Sequence, residues 1–174
     1  MNNTLVVMGL DLSLTSTGIS VKGKTSAFRS KSKGVVRLIE IATAVINECV
    51  ANQVTVVAVE GYAYSSRHSH AHSIGEMGGV VKVELFKHDI KVVEIPPTCR
   101  AKFATGKGNA GKNEVVSAIS AKTGIVWSGA SGDDECDAWI LEQMTLAHLG
   151  ISPYDWSPTQ LSALDKVDWT GLDG

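Results

Sequence analysis

The sequence has little of what secreted, disulfide-linked or membrane-spanning proteins contain. Its 174 residues include three cysteines, Cys49, Cys99 and Cys136, an odd number without CxxC spacing. This predicts free thiols and neither a disulfide framework nor a cysteine zinc site. No stretch approaches the roughly 18–20 uninterrupted apolar residues of a membrane helix, and the first residues lack the basic region of a secretory signal. We therefore expect a soluble, cytoplasmic protein of one domain.

A strong net charge is also missing, but the charges are segregated along the chain. The formal net charge is −2. Residues 22–112 hold fourteen basic and seven acidic side chains, whereas residues 113–174 hold two basic and ten acidic ones. The basic segment could follow a phosphate backbone and the acidic end could hold cations, although ordinary surface charge can give the same pattern.

Short apolar runs alternate with segments of helical periodicity. Strands are predicted at residues 5–10, 18–23, 25–29, 55–60 and 91–95, and helices at about 35–51, 73–88, 112–122 and 133–148. The first strands suggest an antiparallel meander, and the later elements alternate between helix and strand. This order predicts an α/β fold with a mixed sheet flanked by helices.

Four acidic residues stand where carboxylates are costly to bury. Asp11 and Glu60 end two apolar strands that we expect to be neighbours. Asp134 and Asp137 are three residues apart at the start of the last long helix and so share a face, unlike Asp133 and Glu135. Several carboxylates in one site favour bound divalent metal, whereas acids at a helix start taken alone can simply complement the helix dipole.

Four segments, in this order, resemble the RuvC Holliday junction resolvases of the RNase H-like superfamily. They are residues 8–18, Val59-Glu60, the glycine-rich stretch 106–112 and residues 134–138, and together they span about residues 5–148. The resemblance implies an RNase H-like α/β domain at 1–149, with a mixed five-stranded sheet flanked by helices, and a C-terminal extension at 150–174. It also implies that the catalytic metal ligands are Asp11, Glu60, Asp134 and Asp137. They would hold two Mg²⁺ ions per active site, with Mn²⁺ as a substitute.

The same resemblance implies an activity and partners. The protein would be a homodimeric endonuclease that resolves four-way DNA junctions by paired nicks, leaving 5′-phosphate and 3′-hydroxyl ends. It would act in the cytoplasm of a bacterium, or of a phage-infected host. Two metal ions suit this chemistry, because one can activate a water while the other stabilises the leaving 3′ oxygen.

Basic and aromatic residues are the candidates for DNA contact. Lys112 resembles the lysine that the family places before its third helix, and it is a candidate for both catalysis and phosphate binding. The family's base-stacking aromatic position falls at Ala63, so either neighbouring tyrosine could stack on an opened base. The full set of candidate DNA-binding residues is Tyr62, Tyr64, Arg67, Arg100, Lys102, Lys107 and Lys112.

Other interpretations remain open at this point. A fork or flap endonuclease and a non-catalytic junction-binding protein would share the fold, although intact acids at all four positions argue against the latter. The segment around Asp11 also resembles the phosphate loop of sugar kinases and Hsp70 ATPases, which need two such domains. Residues 106–113 fit a P-loop except that Asn113 replaces Ser or Thr. The alternating His68, His70 and His72 could bind metal or lie in a solvated, DNA-facing loop.

Overall fold

Strands and helices follow one another largely as the sequence predicts. The structure is a computed structural model that describes residues 5–61 and 71–173. Within these ranges the elements are β1 (Val7–Asp11), β2 (Thr17–Val21), β3 (Lys24–Phe28), α1 (Gly34–Asn52), β4 (Val56–Glu60), α2 (Ala71–Lys87), β5 (Lys91–Ile95), α3 (Pro97–Thr105), α4 (Lys112–Thr123), α5 (Gly132–His148) and α6 (Pro158–Leu161). Two short 3₁₀ turns follow, at Leu164–Lys166 and Thr170–Leu172.

The strands form one mixed sheet in the order β3-β2-β1-β4-β5. Short connections make β1, β2 and β3 an antiparallel meander. Strands β4 and β5 run parallel to β1 because each is reached through a crossover that contains a helix. The predicted mixed five-stranded sheet flanked by helices is therefore confirmed.

The two faces of the sheet differ in the size of their side chains. Met8 and Leu10 point to the face that α1 and α2 cover, where they join one apolar cluster. Side chains alternate along a strand, so Gly9 faces the opposite side together with Gly18 and Ala58. These small residues leave room for a helix to lie directly on the sheet, and α5 occupies that room.

Helix α5 crosses β1 and β2 at backbone contact distance. A Cβ atom on Gly9 would lie 1.8 Å from the carbonyl oxygen of Ala138, and one on Gly18 would lie 2.1 Å from that of Asp134. Neither distance is compatible with any side chain, so both positions require glycine. The first turns of α5 are thereby held against the ends of β1 and β2.

Helix α3 is an element that the sequence patterns did not predict. Its buried residues, Cys99, Ala101, Phe103 and Ala104, do not form a single stripe of helical period. Its ends nevertheless carry standard signals, because Pro97 occupies the first turn and Gly106 closes the helix at φ 83°. The helix is thus set by its end residues and by tertiary packing.

Residues beyond α5 pack on the same side of the sheet as α5 itself. Trp156 lies against Phe103 with ring centroids 4.2 Å apart, and Trp169 stacks on His148 at 3.9 Å. A Cβ on Gly171 would lie 2.1 Å from the carbonyl oxygen of Val92, so this segment crosses directly over the edge strand β5. The segment protects an edge that would otherwise be open to strand pairing.

Within the described ranges the tryptophans pack together, and the cysteines are free thiols, as the sequence predicts for them. The four tryptophans all belong to the apolar cluster around α5, with Trp139 fully buried at its centre. Cys49, Cys99 and Cys136 are buried and unpaired. No described helix has the length and apolar character needed to cross a membrane.

Gly9→Ala should destabilise the protein strongly, because the new methyl group would overlap the backbone of α5. We expect the free energy of unfolding to fall by about 3 kcal/mol or more, the upper end of the range for overpacked cores. Urea denaturation followed by circular dichroism measures the change. Gly75→Ala is the matched control, because no described atom beyond its chain neighbours and its own helix backbone lies within 4 Å of its added Cβ. A helix interior should gain about 0.5–1 kcal/mol from that change. Equal stabilities for the two variants would contradict the close approach of α5.

Candidate active site

Two acidic side chains end neighbouring parallel strands. In the pairing of β1 with β4, Leu10 lies opposite Val59, so Asp11 and Glu60 are the next residues along each strand. Asp11 comes two residues after Gly9, and Glu60 two residues after Ala58. Because side chains alternate along a strand and Gly9 and Ala58 face α5, Asp11 and Glu60 also point toward α5. Adjacent strands lie about 4.8 Å apart, which brings the two carboxylates close together.

Helix α5 adds two more carboxylates to this end of the sheet. Asp11 lies opposite Gly18 in the β1–β2 pair, and the backbone of Asp134 rests on Gly18. Asp137 follows about one helical turn later and is 5% exposed. Asp11 interacts electrostatically with the carboxylates of Glu60, Asp137 and Asp134. The structure thus brings the four predicted acids into one electrostatic cluster.

Arg100, from α3, lies between two of these acids. Its Nε donates a hydrogen bond to Glu60 Oε2, and its Nη1 donates one to Asp137 Oδ1. Among residues 5–61 and 71–173, no three His, Cys, Asp or Glu side chains are arranged to share a metal ion. The carboxylate oxygens of the site are donors of the kind that Mg²⁺ prefers. In this structure, however, the guanidinium group of Arg100 joins the carboxylates of Glu60 and Asp137.

The cluster carries negative charge that the protein interior opposes. Burial raises the pKa of Asp11 well above its ordinary value, and the neighbouring Glu60 and Asp137 raise it further. Burial likewise raises the pKa of Asp137 to about 7, although Arg100 acts in the opposite direction. A divalent cation would relieve this repulsion and favour the ionised carboxylates.

The acids that were expected to lie outside the cluster have other partners. Lys112, at the start of α4, donates to Asp133 Oδ2 at 2.7 Å, which lowers the pKa of Asp133 and raises that of Lys112. Thr25 Oγ1 donates to Glu135 Oε2 at 2.7 Å. The charge of Lys112 also interacts with Asp137 and Asp134. Lys112 thus stands at the rim of the carboxylate cluster.

Some of the remaining candidates for DNA contact are described by the structure and others are not. Lys102 is half-buried on α3. Lys107 is exposed, and its Nζ lies 3.4 Å from Glu114 Oε1. His72 is exposed in the first turn of α2. The predictions for Tyr62, Tyr64, Arg67, His68 and His70 lie outside the described residues.

Sequence reasoning missed two features of α3 and α5. It assigned Arg100 to DNA binding and did not foresee its ion pairs, because the helix that carries it was not predicted. It also missed Glu142, whose buried carboxylate accepts hydrogen bonds from Ser20 Oγ at 2.5 Å and from the backbone of Gly23 at 3.1 Å. This residue fixes the β2–β3 turn to α5, and a lone glutamate within a helix gave no signal of burial.

Comparison with known proteins identifies the fold. No protein family model matches the chain, and no curated protein matches its sequence. The structure is similar to RuvC of Thermus thermophilus, with a TM-score of 0.67, 22% identity and coverage of 85% of this chain and 98% of that chain. The same RuvC in complex with a Holliday junction substrate gives a TM-score of 0.69 at the same identity and coverage.

A viral resolvase is similar at lower identity. The fowlpox virus resolvase, solved with Holliday junction DNA, gives a TM-score of 0.52 at 14% identity, covering 83% of this chain and 99% of that chain. At these identities the likeness concerns the fold alone. The fold of this chain is the RNase H-like fold of RuvC, as the sequence predicted.

Asp137→Asn should change how stability depends on pH. The ordinary pKa of an aspartate is 3.8, but in the folded chain that of Asp137 is about 7. Because the folded state holds this proton more tightly than the unfolded state, the residue makes wild-type stability fall as pH rises through this window. The variant should become increasingly more stable than wild type from about pH 4 to pH 7, at up to about 1.4 kcal/mol per pH unit. Urea titrations in EDTA measure the difference.

Asp133→Asn is the control with the opposite sign. Lys112 lowers the pKa of Asp133, so its contribution to stability is present at neutral pH and is lost on acidification. A constant difference between wild type and Asp137→Asn from pH 4 to pH 7 would contradict the raised pKa.

Proposed function

We propose that this protein is a metal-dependent endonuclease that resolves four-way DNA junctions by paired nicks. The observation that carries the proposal is the cluster of Asp11, Glu60, Asp134 and Asp137 at one end of an RNase H-like sheet. Structures of the same fold include RuvC and a viral resolvase solved with junction DNA, which supports branched DNA as the substrate class. Residues 1–149 would form the nuclease domain, and 150–174 the extension that packs against it.

The donor atoms of the cluster are of the type that Mg²⁺ binds. All four side chains offer carboxylate oxygens, and two are supplied by strand ends whose positions the sheet fixes. Bound Mg²⁺, or Mn²⁺ in its place, would supply an activated water and stabilise the leaving 3′ oxygen, giving 5′-phosphate and 3′-hydroxyl ends. The protein side chains would hold the ions and orient the phosphate, and no side chain would need to act as the nucleophile.

Basic residues around the cluster would bind the DNA backbone. Lys112 stands at its rim, and Lys102 and Lys107 lie on or just after α3, which faces the same site. We propose that these lysines contact phosphates, with Arg67, Tyr62 and Tyr64 supplying further contacts to DNA. Positive groups of this kind position the scissile strand without reading its sequence.

A homodimer would account for paired nicks, because a four-way junction has two symmetric cleavage sites. An apolar surface suitable for self-association lies on α1 and α2. Val35, Ile39 and Val83 are 66%, 57% and 54% exposed there, and no described atom lies within 4 Å of a Cβ built on Gly79. We propose that a second copy of the chain covers this surface, which we call the α1–α2 face.

Glu60→Gln should keep junction binding and lose cleavage. The amide retains the shape of the carboxylate but binds a cation weakly, so we expect the rate of nicking in Mg²⁺ to fall by ~1,000-fold or more. Cleavage of a labelled four-way junction, a fork, a flap and a plain duplex, together with gel-shift binding in EDTA, measures both properties. The fork and flap also test the broader branched-DNA alternative.

The proposal depends on the wild-type result in the same experiment. Symmetric nicks in the junction, with little cleavage of the duplex, are expected. Wild-type protein that binds the junction but cuts no substrate in Mg²⁺ or Mn²⁺ would exclude the enzyme and leave a junction-binding protein.

Val83→Asp should dissociate the dimer. A charge buried within the α1–α2 face is costly, so we expect the dimer dissociation constant to rise by at least about tenfold. Light scattering after gel filtration over a concentration series measures it. Val126→Asp is the matched control, because Val126 is 80% exposed and lies outside this face. A monomeric wild type, or equal effects of the two variants, would exclude this interface.

A further inference from the structure

Arg100 lies within the carboxylate cluster, unlike Lys107 and Lys112, two other described basic residues of this region. Its side chain is 11% exposed, compared with 67% for Lys112 and 69% for Lys107. A guanidinium group is weakly hydrated and planar, so it tolerates such a position when carboxylates surround it. Burial alone would lower the pKa of Arg100, but Glu60 and Asp137 more than offset this, and the group stays charged.

The two contacts of Arg100 connect the strand part of the site to the helix part. Glu60 belongs to β4 and Asp137 to α5, and Arg100 uses a different nitrogen for each. A metal ion held jointly by Glu60 and Asp137 would have to bind in the interval that the guanidinium spans. Two cations in that interval would repel each other strongly in a partly buried site. Occupation by the arginine and by an ion would therefore be mutually exclusive.

The backbone of α3 is held by packing on both sides of Arg100 and by hydrogen bonds at its C-terminal end. Cys99, Ala101 and Phe103 are buried on either side of it. The helix end is held from the C-terminal extension, where Gln160 Nε2 donates to the carbonyl oxygens of Phe103 and Ala104 at 2.9 and 3.2 Å. A change of rotamer would free the carboxylates without moving the helix.

We infer that Arg100 is an internal counter-ion that a divalent metal must displace to bind between Glu60 and Asp137. This inference rests on the proposed metal-dependent nuclease. The arginine offsets the repulsion among the carboxylates, and for the same reason it weakens the affinity of the site for metal. Displacement would leave the guanidinium beside the bound substrate, where its donors suit a phosphate group.

Arg100→Gln tests the inference through metal binding in the absence of DNA. Calorimetric titration of EDTA-treated, dialysed protein with Mn²⁺ should show at least about tenfold tighter binding to the variant than to wild type. Thermal unfolding gives a second readout. In EDTA the variant should melt below wild type, because its carboxylates have lost their counter-ion, and Mn²⁺ should raise its melting temperature more than that of wild type.

Lys102→Gln is the matched control, since it removes the same charge from the same helix. Lys102 makes no ion pair with the carboxylates of the described residues, so its loss should leave Mn²⁺ affinity near that of wild type. Arg100→Lys serves if the glutamine variant does not fold. A single ammonium group cannot bridge both acids as a guanidinium does, so tighter Mn²⁺ binding than that of wild type is expected.

The outcomes separate the inference from the proposed function. If wild type and Arg100→Gln bind Mn²⁺ equally, or the variant binds more weakly, the displaced counter-ion is excluded while a metal-dependent nuclease stands. If neither protein binds Mn²⁺, the inference fails, and the cleavage assay decides the proposed function separately. If Lys102→Gln increases Mn²⁺ affinity as much as Arg100→Gln does, the effect comes from the loss of any positive charge on α3. That result also overturns the inference.

Discussion

The contact of α5 with β1 and β2 is the constraint on which the site depends. Gly9 and Gly18 allow the helix backbone to rest on the strands, and no side chain fits in either place. The contact fixes the depth of α5 and its rotation about its axis, so Asp134 and Asp137 are delivered to the end of the sheet where Asp11 and Glu60 emerge. The spacing of the carboxylates is thus determined by packing rather than by attraction between them.

Packing that forces acids together has an electrostatic consequence. Four carboxylates at a partly buried strand end repel one another, and burial together with this repulsion raises the pKa values of Asp11 and Asp137. The fold tolerates it because the apolar contacts of α5, with Trp139 at their centre, oppose it. Arg100 lowers the remaining cost by pairing with two of the acids. A site of this kind attracts cations because the protein supplies more negative charge than it neutralises.

Much of this arrangement could be predicted from the sequence, and the exceptions have physical causes. Apolar runs ending in Asp11 and Glu60 predicted the strands and their neighbouring ends, because the signal there is local. The i, i+3 spacing placed Asp134 and Asp137 on one face for the same reason. Helix α3 escaped prediction because its burial comes from contacts with distant elements, which no local period records. The pairing of Arg100 with Glu60 and Asp137 depends on that helix and was therefore missed with it.

The C-terminal extension supports helix α3, which carries Arg100. It contributes no acid to the cluster, yet Gln160 holds the end of α3 and Trp156 packs on Phe103 of the same helix. Helix α3 is short, and short helices depend on tertiary contacts for their stability. The position of Arg100 relative to the carboxylates thus depends on residues outside β1, β4 and α5, the elements that carry the four acids. The positions of the four acids are determined by the packing of α5 on the sheet. The position of Arg100 depends instead on α3 and on the C-terminal extension that packs against it. A change in the extension could therefore move Arg100 without moving the acids.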